Sequence, residues 1–229
     1  MPVNTIKFQE IKEELSISNT VLVAVSKTKP VEDIQALYEL GQRDFGENYV
    51  QELVDKQALL PKDIRWHFIG HLQSNKVKYI APFVYLIHGV DSLKLLQEIN
   101  KQALKNNRII DCLLQMHIAE EETKFGLDQS EIEAIQLVLP QLNNIQILGF
   151  MGMASFSEDM DKVKREFLHL KSQFDLFKIW AEQNPMNATN KGISILSMGM
   201  SGDYQLAIDC GSNMVRIGSL LFGARSYPT

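Results

Sequence analysis

Val21-Leu22-Val23-Ala24-Val25-Ser26-Lys27 decides how the rest of the chain is read. Five consecutive apolar residues, closed by a serine and a lysine, have the pattern of a fully buried strand. Thr28-Lys29-Pro30 comes next, and a helical pattern starts after the proline. A lysine at the carboxyl end of a buried strand stands at the mouth of a core, its stem among apolar groups. Burial disfavours the ammonium form, so such an amine can be a nucleophile near neutral pH. That is what a Schiff-base lysine requires. A strand-end lysine that simply reaches water fits the same stretch.

Outward from this strand, the chain alternates. Short apolar runs predict strands at 43–46, 66–69, 84–87, 109–118, 145–150, 193–197 and 214–217. Between them, apolar residues spaced by threes and fours predict helices at 31–41, 47–60, 75–80, 91–105 and 159–182. Asp91 and Ser130 are read as N-caps. Shorter helices are expected at 201–211 and 219–223, and a helix at 5–18 is expected to cover the bottom of the fold. Strands alternating with helices imply parallel βαβ units, and eight of them close into a (β/α)8 TIM barrel. Residues 1–229 therefore predict one α/β barrel domain with an extra N-terminal helix. An open doubly wound sheet is the alternative, but no G-x-G-x-x-G follows the first strand.

Bulk properties exclude several function classes. The net charge of −5 offers no basic field for nucleic acid. No apolar run approaches a membrane span, and 1–14 lacks the apolar core of a secretory signal. Cys112 and Cys210 both lie in apolar segments, which suits a reducing compartment better than a disulfide. A cytoplasmic protein is the expectation.

In such a barrel, functional residues come from the carboxyl ends of the strands. Those ends carry Lys27, then Asn48, then His67 and His71, then Glu120 to Gly126, then Met151 to Ala154. Ser201-Gly202 follows the seventh strand, and Arg216 with Gly218-Ser219 ends the eighth. Small residues admit a ligand to the backbone, and free N–H groups at helix starts bind anions. The loops after strands seven and eight are the usual phosphate position in barrels, although each of these residues singly is an ordinary turn former. A phosphate across the mouth from a strand-one lysine points to pyridoxal 5′-phosphate (PLP). Arg216 is placed to face its pyridine nitrogen, or else to form a salt bridge inside the barrel. His67, His71 and His88 show no metal-binding spacing and are read as packed or hydrogen-bonded histidines. Lys124 is read as a second amine facing the barrel mouth, or as a solvated loop lysine.

These residues fall in longer motifs. They are Ala24-Val25-Ser26-Lys27-Thr28-Lys29-Pro30, Phe45-Gly46-Glu47-Asn48-Tyr49-Val50-Gln51-Glu52, and Trp66-His67-Phe68-Ile69-Gly70-His71-Leu72-Gln73-Ser74-Asn75-Lys76. Ser197-Met198-Gly199-Met200-Ser201 and Met214-Val215-Arg216-Ile217-Gly218-Ser219, with Phe222-Gly223-Ala224-Arg225, complete them. In these motifs, in this order, the chain resembles the pyridoxal-phosphate homeostasis family from Val21 to Tyr227. The resemblance implies a fold-type III barrel like the N-terminal domain of alanine racemase. It implies PLP as a Schiff base on Lys27, phosphate held around Ser201, Gly202, Gly218 and Ser219, Arg216 at the pyridine nitrogen, and Asn48 near the cofactor. The implied role is storage and delivery of PLP rather than catalysis, with PLP-dependent apoenzymes as recipients. His117 departs from the family, which has asparagine there. The alternative is an amino-acid racemase of fold type III, which needs acid/base groups on both faces of the substrate carbon. A sugar-phosphate isomerase on the same barrel is a third reading. A chain of this kind without a dimerising second domain is expected to be monomeric.

Overall fold

The computed structural model describes residues 3–119, 126–184 and 192–223. Eight parallel strands close a barrel in sequence order. They are β1 (Val21–Val25), β2 (Asp44–Glu47), β3 (Arg65–Phe68), β4 (Leu86–Val90), β5 (Ile110–Gln115), β6 (Ile145–Met151), β7 (Ile195–Ser197) and β8 (Met214–Ile217). Closure is made by β1 against β8, with Val23 opposite Arg216. The first strand thereby stands beside the last.

Outward-facing strand residues and the inner faces of the helices form the larger apolar core. Its longest contributor is the helix Met160–Gln183, capped by Asp159 Oδ1 on Lys162 N at 3.0 Å. Val163, Phe167, Leu170, Phe174 and Phe177 on that helix are buried. Each such side chain is worth roughly 1.5–3 kcal/mol of transfer out of water. Val23, Leu86, Leu113, Leu148 and Met214 form a smaller cluster. Strand side chains alternate sides, so these residues and the buried His67, His88, Ser197 and Arg216 share the barrel interior.

The N-terminal helix α1 (Thr5–Ile17) is present, but it does not cover the bottom. Asn4 N donates to Leu221 O at 2.8 Å, beyond the carboxyl end of β8. At the other end, Thr20 N donates to Leu15 O at 2.9 Å as the chain enters β1. The helix therefore runs antiparallel to β1 along the side of the barrel and buries Phe8, Ile11 and Leu15. The helix after β8 is four residues long, Ser219–Phe222, and α1 supplies the outer cover it lacks.

Other boundaries shift for identifiable reasons. β4 begins two residues later than expected because it contains His88 and Gly89, which do not read as strand core. Ser92, not Asp91, caps the next helix, and Asp91 instead meets His71 at 2.9 Å. Asp128, not Ser130, caps Gln129–Val138, forming a capping box with Glu131. The helix after β7 starts at Tyr204, which leaves Ser201–Asp203 as a turn.

Candidate functional site

A cavity of about 610 Å³ opens at the carboxyl ends of the strands. All seven residues expected there line it: Lys27, Asn48, Ser201, Gly202, Arg216, Gly218 and Ser219. Met153, Phe156, Met160, Val163 and Met200 give it an apolar wall. Among the described lining residues, the ionisable groups are Lys27, Lys29, Asp203 and Arg216.

Lys27 stands two residues beyond the end of β1, after Ser26, and is half-buried. Lys29, two residues on, donates from Nζ to Phe222 O at 2.7 Å and so ties the turn after β1 to the short helix after β8. Arg216 is 4% exposed. Its Nη1 donates to Ser197 O at 2.9 Å and to Ser197 Oγ at 2.7 Å, and its Nη2 to Gly152 O at 3.0 Å. Burial pulls its pKa down to about 10, against the charge of Asp203. Among the described residues no carboxylate reaches ion-pair distance of Arg216. That disfavours the salt-bridge reading and leaves a cation held by neutral acceptors.

The two small-residue loops meet. Gly218 N donates to Ser201 Oγ at 3.3 Å. A side chain on Gly218 would press on Val25 Cβ and O at 3.2 Å, so glycine lets this loop lie against the end of β1. At Gly202 nothing lies within 4 Å of where a Cβ would stand. Asn48 Oδ1 is buried and has no hydrogen-bond partner among the described residues. A buried amide oxygen normally finds one, and here the unmet acceptor belongs to a residue of the cavity wall. Basic groups on two sides, small-residue loops and an unpaired amide fit a compact, phosphorylated aromatic aldehyde such as PLP.

Two buried networks behind this cavity were missed by sequence reasoning. The first surrounds Lys56, on α3 (Val50–Leu59), the helix that follows α2 (Val31–Glu39) and β2. Lys56 Nζ donates to Glu47 Oε1 at 2.7 Å, to Glu52 Oε1 at 2.7 Å and to Ser26 O at 2.8 Å. Ser26 Oγ donates to the same Glu47 oxygen at 2.6 Å. Burial drives the Glu47 carboxyl up to about 7, against the opposing pull of Lys56. The signal in the sequence was spacing: Lys56 follows Leu53 by three, on the buried stripe.

The second network crosses the barrel interior. Asp44 Oδ1 meets His67 Nε2 at 2.9 Å, and His67 Nδ1 meets His88 Nε2 at 2.9 Å. His88 Nδ1 lies 3.2 Å from Ser197 Oγ, which also accepts from Arg216. With both imidazoles neutral, one proton arrangement satisfies every pair, each group donating toward Asp44. His67 and His88 are thus hydrogen-bonded core histidines, as their spacing suggests. Burial lowers His88 well below its usual range. Burial alone would raise Asp44, but hydrogen bonds from Arg65 and His67 bring it down to about 2.

The remaining residues separate. His117 does not line the cavity; it follows Met116, which bridges to Leu127. Lys124 and Glu120 to Glu122 lie outside the described residues. Cys112 is fully buried, and burial pushes its thiol pKa up.

Fold and cavity define a class first. Residues 6–226 match the family described as alanine racemase, N-terminal domain. Within that class, the chain belongs to the pyridoxal phosphate homeostasis protein family. It is 40% identical over 207 residues to the family's protein from Aquifex aeolicus, spanning 90% of this chain and 87% of the relative. The solved structure of PipY from Synechococcus elongatus, with PLP bound, superposes with a TM-score of 0.84 at 33% identity. That match covers 95% of this chain and 98% of PipY. Alanine racemase from Bartonella henselae shares the fold, with a TM-score of 0.68 at 17% identity over 62% of its length.

Proposed function

We propose that this chain binds PLP in the cavity and serves its storage and delivery, without catalysing a reaction of its own. Lys27 is the residue that holds the cofactor, through a Schiff base between its amine and the aldehyde. The observation that carries the reading is the composition of the cavity: a half-buried amine and a buried guanidinium share one space with an unpartnered amide oxygen. PLP, when bound, supplies an aldehyde for the amine and an electron-withdrawing ring.

The chain's own groups do the rest. Ser201, Gly202 and Ser219 offer backbone and hydroxyl donors suited to the phosphate, and Gly218, whose N–H is taken by Ser201 Oγ, lets the two loops close around it. Asn48 offers its amide to a polar substituent of the ring. Arg216, pinned by Ser197 and Gly152, is the group that would donate to the pyridine nitrogen. A donor there would leave that nitrogen without a proton, so the ring would be a weaker electron sink than one paired with a carboxylate. That favours retention over chemistry.

We further infer a monomer, working in the cytoplasm, with PLP-dependent apoenzymes as recipients. Among the described residues no helix is long and apolar enough to cross a membrane. Borohydride treatment of the PLP-loaded protein should fix one PLP onto Lys27, read by peptide mass. Absence of that adduct overturns the reading. Turnover of any amino acid that Lys27→Ala abolishes would restore the racemase alternative.

A further inference from the structure

Lys27 occupies the second position of a tight turn. Lys29 N donates to Ser26 O at 3.0 Å, and Thr28, at the third position, has φ of +62°. Lys27 itself is not among the residues with positive φ. A negative φ followed by a positive one is the pattern of a type II turn, which wants glycine or asparagine at its third position. The other described non-glycine residues with positive φ are Asn19 and Asn107, a residue type that tolerates it. Threonine, branched at Cβ, does not. Something outside the turn therefore holds it.

The Lys56 network is in position to do so. Thr28 N donates to Glu52 Oε1 at 2.6 Å, and the same oxygen accepts from Lys56 Nζ at 2.7 Å. The other two ammonium donors go to Ser26 O and Glu47 Oε1, so all three are used. Lys56 is 6% exposed and Glu47 is fully buried. Lysine and glutamate are almost never buried to this extent unless paired. Both peptide neighbours of Lys27 thus lead to one cation.

We propose that Lys56 is a positioning residue for Lys27. Its ammonium joins Ser26, Glu47 and Glu52 into a clamp that keeps the turn in the conformation threonine resists, and so fixes the direction from which Lys27 enters the cavity. The proposal rests on the reading of Lys27 as the PLP tether. A cluster that merely welds α3 to β1 and β2 would set the melting temperature and nothing else. A positioning clamp also sets PLP affinity, and a residue at ease with positive φ makes it dispensable.

The test uses Glu52→Ala, the pair Glu47→Gln with Lys56→Met, and each of these combined with Thr28→Gly. PLP affinity is read by absorbance titration, and hydrogen exchange of the Thr28 amide is read in the cofactor-free protein. Glu52→Ala should weaken PLP roughly tenfold, the worth of one charge-assisted hydrogen bond. Adding Thr28→Gly should bring affinity back to within about twofold of wild type, a non-additivity expected of coupled neighbours. The Glu47→Gln, Lys56→Met pair should speed exchange at Thr28, which Lys56 does not touch. Unchanged exchange there, or a Glu52→Ala loss that Thr28→Gly fails to restore, overturns the clamp. If the Lys56 variant does not fold, the Glu52 and Thr28 cycle decides alone. A wild-type protein that forms no adduct on Lys27 overturns the tether instead, and the exchange measurement still decides the clamp.

Discussion

Lys27 and Arg216 face the same cavity, yet their supports are built differently. Lys27 is braced through its backbone neighbours, by a cluster on the outside of β1 and β2 that contains a full charge pair. Arg216 is braced through its guanidinium itself, by a file of side chains crossing the barrel interior. The first arrangement fixes where an amine starts from. The second fixes where a cation ends. A group meant to form and release a covalent bond needs the former; a group meant only to face a ligand atom needs the latter. The difference also separates the networks by chemistry. One neutralises a buried carboxylate with an ammonium, and the other leads from a low-pKa carboxylate through two imidazoles.

The largest way to break this comparison is at Lys27. Lys27→Ala should remove the borohydride-trapped adduct altogether, while Arg216 and the phosphate loops retain weaker, reversible PLP binding. Absorbance and equilibrium dialysis together would show both. If no binding of any kind survived, the Arg216 side would contribute nothing by itself.

His67→Ala comes next. It leaves Asp44 with Arg65 alone, takes the partner from His88 Nε2 and opens a void in a packed interior. Unsatisfied buried groups cost about 1–3 kcal/mol each, so a loss of about 3 kcal/mol is expected. For a chain this long that is a fall of roughly 8 °C in melting temperature. A loss under about 1 kcal/mol would mean the file carries little of the interior's stability.

The two carboxylates should respond to pH in opposite senses. Folded Glu47 titrates at about 7 against an ordinary 4.5, so the folded state binds more protons between those values. Stability then falls as the pH rises through that window. Folded Asp44 titrates at about 2 against an ordinary 3.8, so its contribution is complete above pH 3.8 and is lost as the pH falls toward 2. Denaturant unfolding across pH should show both limbs, the Glu47 limb on the order of 3 kcal/mol and the Asp44 limb on the order of 2 kcal/mol. Glu47→Gln should flatten the upper limb and Asp44→Asn the lower. A single variant that flattened both would show the networks to be one.

The barrel was legible because parallel strands are buried on both faces and read as apolar runs, β1 most plainly. The cavity was legible because barrels put function at strand ends, and Lys27, Asn48, Arg216 and the loop residues all stand there. What escaped is polar and internal. β4 was misplaced because His88 and Gly89 belong to it, and an interior histidine has no sequence mark distinguishing it from a surface one. Lys56 and Glu47 escaped because charged residues on a helix and at a strand end normally face water. Only three-dimensional closure decides that α3 turns its lysine inward. The side position of α1 depends on how short the last helix is, a fact about the far end of the chain.

The smallest expected effect lies where the interior file meets solvent. Arg65 grips Asp44 through Nε at 2.7 Å and through a second contact from Nη2, but its side chain is 45% exposed. Exposed pairs are typically worth 1 kcal/mol or less because water and salt screen them. Arg65→Ala should therefore cost less than about 1 kcal/mol at neutral pH, and less still in high salt. The cost should fade on acidification, as Asp44 takes up its proton and no longer attracts the guanidinium. Arg65 is also the largest of the forces holding Asp44 below its ordinary pKa against burial. Without it the acid limb shortens and ends at higher pH, while the limb set by Glu47 stays where it was. If the upper limb moved as well, the two supports of the cavity would be coupled through β2, which carries both Asp44 and Glu47.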